Sequence, residues 1–460
     1  MITPTVGFLL YGVHKDGLTD PMGVPFIDDG IIQKSKKALK NQGLKLIEND
    51  VVIATKEEAI TALKKMKDDD RVDCVILFSC TWIWSANLVG AIRDFAATGK
   101  GVLIWTHPGS QGWRPVGGLV LHGALKEIGI NHKFVYGSVD EGTEIQKIVD
   151  FCKAAHLKNF LNMSTIGAFG GRGMGQTCGV ADPSQWMKVF GIDIDSRDTT
   201  QLIKRAESIS EEKIKAIEPR LLKLFGRVPE RNQVNDRSIR LYIALKELME
   251  QEKFDFYTIQ SFPGLADDYV ATCFAQSMML EDGVGTSTLG DFNTAMTVLL
   301  LTKLSKERVY YGDLQHIDKK NKEIKIIGDG AIPPSLAGKT GAAGLAEHGV
   351  PTEGGAGGLS VQLVCKSGEG ILARLGRNDG QFEMVITRCT IFEPSEEDIQ
   401  LRRNECGIPF WPHGFVKVHC DVDELLKHWN SEYACLGYGE ELYQTLIDFC
   451  ELTGIKVILP

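Results

Sequence analysis

The first 150 residues switch repeatedly between two hydrophobic periodicities, and that alternation constrains the fold more than any other feature. Short apolar runs occur at Val6–Tyr11, Leu46–Ile53, Cys74–Ser79, Gly101–Thr106 and His132–Tyr136. Helical patterns lie between them at Ile31–Asn41, Lys56–Asp69, Asn87–Thr98 and Gly118–Gly129. Strands separated by helices are βαβ units, which place parallel strands in one sheet and cover both of its faces. In such sheets ligands sit outside the carboxyl ends of the strands. Those ends carry Tyr11-Gly12, Cys80-Thr81-Trp82 with Trp84 close behind, and His107-Pro108-Gly109. Tyr11, Trp82, Trp84 and His107 are therefore candidate substrate-binding side chains. No G-x-G-x-x-G follows the first strand, so no nucleotide cofactor is expected.

A second α/β region runs from about residue 160 to 315. A strand at Ser164–Phe169 enters Gly170-Gly171-Arg172-Gly173-Met174-Gly175. A helix over Glu211–Phe225 has Ser210 at its N-cap, acidic residues in its first turn and Gly226 past its end, with Pro219 inside as a source of a kink. A further helix spans Asp236–Glu252 and a strand Asp255–Ser261. Asn293–Leu304 is apolar on every side and reads as a buried helix, with Val309–Tyr311 as the strand that closes the region. Beyond residue 320, period-two segments dominate: Glu323–Ile327, Leu359–Cys365, Gly370–Leu375, Gln381–Ile391 and Phe415–His419, separated by turns rich in Gly, Asn and Asp. These predict an antiparallel barrel or sandwich, followed by an amphipathic helix at Glu440–Leu452 and a last strand at Ile455–Leu459. The expected domains are 1–160, 161–318 and 319–460, with the terminal helix packing back on the core. The Gly-rich stretch Glu353–Gly358 reads as a loop, because no helix follows it to cradle a phosphate.

Composition removes several classes of function. The net charge of −9 and the lack of a basic stripe argue against nucleic-acid binding, which needs concentrated Lys and Arg. The longest clear apolar run, Cys74–Phe78, is far too short to span a bilayer. The N-terminus has neither a basic n-region nor an apolar h-region, so no secretory signal is expected. Eleven cysteines, an odd number without a CxxC pair, fit reduced thiols in the cytoplasm rather than a disulfide framework or a zinc site.

Several blocks carry candidate chemistry. Glycines after a strand let backbone approach a ligand, and Arg172 among them can pair with an anion or orient hydroxyls. Asp291, before the apolar run from Ala295, is either a helix N-cap or an acid/base group; Glu281 lies upstream. Asp313 closes the strand in Tyr310-Tyr311-Gly312-Asp313-Leu314-Gln315-His316, and with His316 is placed to share a metal or a proton path. His413, His419 and His428 lack the H-x-x-x-H spacing of a helical zinc site.

Taken in order, these blocks resemble the L-fucose isomerase and L-arabinose isomerase superfamily. The resemblance runs through Cys80-Thr81-Trp82-Ile83-Trp84, Gly101–Thr106, Phe169–Gly175, Asp182 to Asp193, Gly290-Asp291-Phe292-Asn293-Thr294-Ala295, Tyr311-Gly312-Asp313, Pro334-Ser335-Leu336-Ala337 and Tyr438-Gly439 with the helix after it. It implies an α/β chain of two Rossmann-like parallel-sheet domains followed by an antiparallel β-barrel-like C-terminal domain. It also implies a homo-oligomer, hexamer or trimer, and aldose–ketose interconversion through a cis-enediol, with a Mn²⁺-type ion and paired carboxylates as Lewis acid, base and acid.

The sequence departs from the family at the metal ligands. Leu289 stands where the family has Glu before Gly-Asp. The strand carboxylate survives as Asp313, although the arabinose branch places it at Gly312. Gly328-Asp329-Gly330 replaces a histidine ahead of the Pro-Ser-Leu-Ala motif, and the late histidine falls on Glu432 or Tyr433. Asp313 and Glu432 remain as candidate metal ligands, and Glu432 and Tyr433 as substrate contacts. Three outcomes stay open: a sugar isomerase with a rebuilt site on a pentose, deoxyhexose or acidic sugar; a metal-independent epimerase or carbon–carbon lyase using Asp313 and His316; or a non-catalytic sugar-binding homologue.

Overall fold

The computed structural model describes residues 2–13, 26–49, 51–109, 113–328, 331–339, 342–348, 357–398 and 413–460. The chain divides into two compact units, one made of Ile2–Leu161 with Gln444–Gly454, the other of Asn162–Tyr443 with Ile455–Pro460.

In the first unit, β1 (Thr5–Tyr11), β2 (Lys45–Glu48), β3 (Cys74–Ser79), β4 (Gly101–Thr106) and β5 (Lys133–Tyr136) form a fully parallel sheet in the order β2-β1-β3-β4-β5. This is a doubly wound order. Every residue of β3 and β4 is buried, as expected for unbroken apolar runs covered on both faces. Helix Lys56–Asp68 starts on a capping box in which Thr55 and Glu58 each accept from the other's backbone N–H. A helix absent from the sequence reading, Gly142–Leu161, completes the unit. Most of the chain's last helix, Leu442–Thr453, also belongs here. Asp448 pairs with Lys133 Nζ at 2.7 Å and Thr445 Oγ1 donates to Asp150 at 3.2 Å.

The second unit holds a parallel sheet of β6 (Thr165–Phe169), β7 (Asp193–Arg197), β8 (Phe256–Ile259) and β9 (Gly285–Ser287), in the order β7-β6-β8-β9. It continues into β10 (Tyr310–Asp318), β11 (Glu323–Ile327), a small pair of β12 (Gly344–Glu347) with β13 (Leu359–Gln362), and then β14 (Gly368–Asn378), β15 (Gln381–Ile391), β16 (His413–Val418), β17 (Tyr433–Tyr438) and β18 (Lys456–Ile458). The large sheet runs β14-β17-β10-β11-β16-β15-β18, and a further β14–β15 pairing closes it into a barrel with β18 added outside in parallel. All pairings within the closed ring are antiparallel. The α/β class with an antiparallel barrel therefore holds.

One strand departs from the expectation. Val309–Tyr311 was read as the last strand of the central region, but β10 is a nine-residue barrel strand paired with β11 and β17. A bulge between Leu314 and His316 lets the pairing continue past the polar residues that break the apolar run. Asp313 therefore lies within a strand rather than at its tip. Among the described cysteines none is disulfide-bonded. No helix among the described residues is long and apolar enough to cross a membrane.

Candidate active site

Within the second unit a cavity of about 300 Å³ is lined by Met174, Phe262, Thr288, Leu289, Tyr311, Gly312, Asp313, Gly328, Glu432 and Tyr433. Its two sides come from different parts of the chain. Met174, Phe262, Thr288 and Leu289 sit on the segments that leave the carboxyl ends of β6, β8 and β9, where open α/β sheets bind ligands. The remaining residues belong to β10 and β17 or adjoin β11 and β17.

Strand register places the carboxylates. Asp313 pairs with Tyr433 across β10 and β17, and Tyr311 lies two residues back on the same face. Leu314 N–H donates to Glu432 O at 2.9 Å, fixing Glu432 beside the strand that carries Asp313. Asp313 is half-buried and Glu432 exposed. The Glu432 carboxylate accepts from Ser431 Oγ at 3.1 Å, with Cys178 Sγ at 3.8 Å. Burial, then the neighbouring Glu432, push the Cys178 thiol above its ordinary pKa. The Tyr311 and Tyr433 rings meet edge to face, 6.1 Å between centroids, and Gln276 Nε2 donates to Tyr311 Oη at 3.0 Å. Gly312 explains why the carboxylate is at 313: a Cβ at 312 would collide with Ile327 O, so no side chain fits there.

The glycine-rich loop serves close backbone packing. Gly173 N–H donates to Leu289 O at 2.9 Å, and a Cβ on Gly290 (φ +74°) would lie 2.6 Å from Gly171 O. Leu289 itself is held at φ +59°, a left-handed conformation that is strained for a leucine, and such strain clusters at ligand sites.

Several sequence candidates fall elsewhere. Asp291 is fully buried and does not line the cavity. Its carboxylate caps helix Phe292–Leu304, accepting from Thr294 N and Thr294 Oγ1, each at 2.9 Å, and pairs with the equally buried Arg374 Nη2 at 2.9 Å. Arg374 also donates to Thr294 Oγ1. Burial opposes the Arg374 charge, but the Asp291 carboxylate more than offsets it and holds the pKa above the ordinary value. Asp291 is thus a structural cap and ion-pair partner, and its catalytic assignment is withdrawn. His316 is exposed beyond the β10 bulge and does not line the cavity, so the structure does not bring it to a site shared with Asp313. Glu281 accepts from Ser335 N at 3.1 Å, a loop tie. His428 is engaged with Glu424 at 3.0 Å and His419 with Thr390 at 2.9 Å, while His413 is buried in β16.

Tyr11, Trp82, Trp84 and His107 belong to the other unit. Tyr11 is wholly buried, which removes it as a substrate contact. His107 is nearly buried, with Nδ1 at 2.8 Å from Pro108 O and Nε2 at 3.2 Å from Ser138 Oγ; burial lowers its pKa, and both ring nitrogens are occupied. Trp84 is 70% exposed, with its ring edge-on to Trp82. Arg172 is exposed on the loop beside cavity-lining Met174. Asp329, Gly330, Trp411, Pro412 and residues 353–356 lie outside the described residues.

The resemblance implies a Mn²⁺-type ion, and the donors among the described residues do not fit one. Hard divalent ions take several oxygen or nitrogen ligands. The cavity offers two carboxylates, and among the described residues no group of three His, Cys, Asp or Glu is arranged to hold a metal.

No protein-family model matches this chain. A sulfoquinovose isomerase of Priestia aryabhattai is 21% identical over 416 residues, covering 86% of this chain and 91% of its own length. A sulfoquinovose isomerase of Clostridium sp. (strain MSTE9) is 23% identical over 314 residues, covering 64% of this chain and 68% of its own. Among solved structures, an ABC transporter solute-binding protein of Burkholderia multivorans is 15% identical and covers 66% of this chain and 93% of its own, with a TM-score of 0.20.

Proposed function

We propose that this chain is an aldose–ketose isomerase acting on a sugar that bears an anionic group, a divergent relative of the L-fucose/L-arabinose isomerase superfamily. The observation that carries the reading is the meeting of Asp313, on β10, and Glu432, just before β17, on one ring-lined cavity at the carboxyl ends of the central sheet. The similarity to sulfoquinovose isomerases over most of both chains supports the same activity and points to a sulfonated aldose as substrate. A cytoplasmic location and a homo-oligomer are part of this proposal.

Isomerisation is redox-neutral and needs two proton movements. Asp313 takes the proton from C2 of the open-chain aldose while O1 gains one, giving a cis-enediol. The proton returns to C1 as O2 loses its own, giving the ketose. Half-buried Asp313 handles the carbon-bound proton, and Glu432, open to solvent and held by Ser431, handles the oxygen-bound one. Phe262, Tyr311 and Tyr433 present ring faces and edges to the apolar side of the sugar.

The test is NMR-monitored conversion of sulfoquinovose by the purified chain, with EDTA and with added Mn²⁺ as separate arms. The expected result is ketose formation whose rate survives EDTA. No conversion in any arm overturns the function. Conversion lost in EDTA and restored by Mn²⁺ contradicts a site of two carboxylates and requires further ligands.

A further inference from the structure

The cavity poses an electrostatic problem for an anionic sugar. Its carboxylates are Asp313 and Glu432, and none of the described residues lining it is Lys, Arg or His. A sulfonate bound near two carboxylates meets Coulomb repulsion that a nearby cation offsets. The loop that carries cavity-lining Met174 bears such a charge two residues earlier, on Arg172. Arg172 stands between Gly171, whose N–H donates to Gln260 Oε1 at 2.9 Å, and Gly173, whose N–H donates to Leu289 O at 2.9 Å. Its backbone is thus pinned against the Leu289–Gly290 turn, with Arg172 Cα 3.5 Å from where a Gly290 Cβ would stand. Leu289 and Met174, on either side of this contact, both line the cavity. The side chain is exposed, and among the described residues it forms no ion pair or hydrogen bond, whereas the nearby Arg197 is tied to Asp195 and Glu252.

We infer that Arg172 is the specificity-determining residue that reads the substrate's anionic end at the lip of the cavity, leaving the carbonyl end to Asp313 and Glu432. This inference rests on the isomerase reading. It adds the chemistry of the recognised group, a tetrahedral oxyanion matched by the planar donors of a guanidinium. It also gives the sugar a direction: anion toward the β6 loop, reacting carbons toward β10 and β17.

The test compares the full-length wild type with R172Q and R172K on three sugars: sulfoquinovose, glucose as its neutral counterpart, and glucose 6-phosphate. A charge-assisted hydrogen bond of ordinary strength predicts that R172Q lowers kcat/KM for sulfoquinovose on the order of 10- to 100-fold, with glucose changed less than about twofold. R172K should fall between, keeping charge without the paired donors. The sulfoquinovose preference should shrink as salt rises. An unchanged ratio of sulfoquinovose to glucose in R172Q overturns the inference while leaving isomerase activity intact. A wild-type preference for glucose 6-phosphate over sulfoquinovose overturns sulfonate as the group recognised. If the wild type converts none of the sugars, the isomerase reading fails, and calorimetric titration with sulfoquinovose still decides on Arg172: weaker binding by R172Q supports it, and equal binding overturns it.

Discussion

Two Gly-Asp pairs, Gly290-Asp291 and Gly312-Asp313, look alike in sequence and stand in opposite environments. The first stands at a helix N-terminus, where the carboxylate is buried and spent on two hydrogen bonds from Thr294 and an ion pair with Arg374. The second stands in a barrel strand, where the carboxylate is half-buried at a cavity wall beside Glu432. What separates them is the element that follows. After Asp291 come residues that build a helix apolar all round, whose first N–H groups need an acceptor. After Asp313 the chain stays extended, so there is no helix N-terminus for its side chain to cap. A carboxylate next to glycine is therefore informative only when its structural demands are counted first.

The difference can be attacked from both ends. D313N should cut kcat by about 10²- to 10⁴-fold, the usual share of a general base, while the melting temperature stays near that of the wild type. D291A should do the reverse. Removing one partner of a buried pair strands the Arg374 charge and costs about 3–5 kcal/mol, read by chemical unfolding. D291N, which keeps the cap, should cost less than D291A. If D291A leaves stability intact but abolishes turnover, the two aspartates have been assigned the wrong way round.

Another buried aspartate, Asp150, sharpens the contrast, because hydrogen bonds from Gln146 and Thr445 replace the arginine. Burial pushes Asp150 up to about 6. With its pKa raised on folding, the folded chain binds the proton more tightly than the unfolded chain. The stabilisation is present in full below about pH 4 and is lost as pH rises through 6, a change of about 2–3 kcal/mol. D150N should therefore stabilise the chain at pH 7 and have little effect at pH 4, as followed by unfolding at the two pH values. The smallest effect is expected at His316, whose replacement by Ala should change kcat less than about twofold and stability by about 0.5 kcal/mol or less.

Much of the architecture was legible because periodicity reports burial directly. The β3 and β4 runs and the buried helix Phe292–Leu304 lie where their patterns put them, and β14 and β15 are strands as expected, although they are buried almost continuously rather than on alternate residues. The end of the central region was not legible, since Tyr310-Tyr311 reads equally as the last parallel strand or the first barrel strand. A bulge, invisible in the pattern, carries β10 on to Asp318. The site was half legible. Asp313, Glu432 and Tyr433 came from the sequence and line one cavity, but the carboxyl-end rule was applied to the first sheet, yielding buried Tyr11 and occupied His107. Applied to the central sheet, it would have found Phe262 after β8 and Thr288 and Leu289 after β9. Leu289 had been noticed only as a missing glutamate, although its position before a glycine marked a strained turn.

In the proposed reaction the Asp313 carboxylate moves a carbon-bound proton of the sugar. That step is tested most directly by incubating sulfoquinovose with wild-type protein and with D313N in D₂O and following deuterium at C2 by NMR. Exchange with the wild type, and exchange slowed at least a hundredfold with a normally folded D313N, is the expected result. Exchange at the wild-type rate in D313N, or conversion by the wild type with no deuterium entering the sugar, contradicts it.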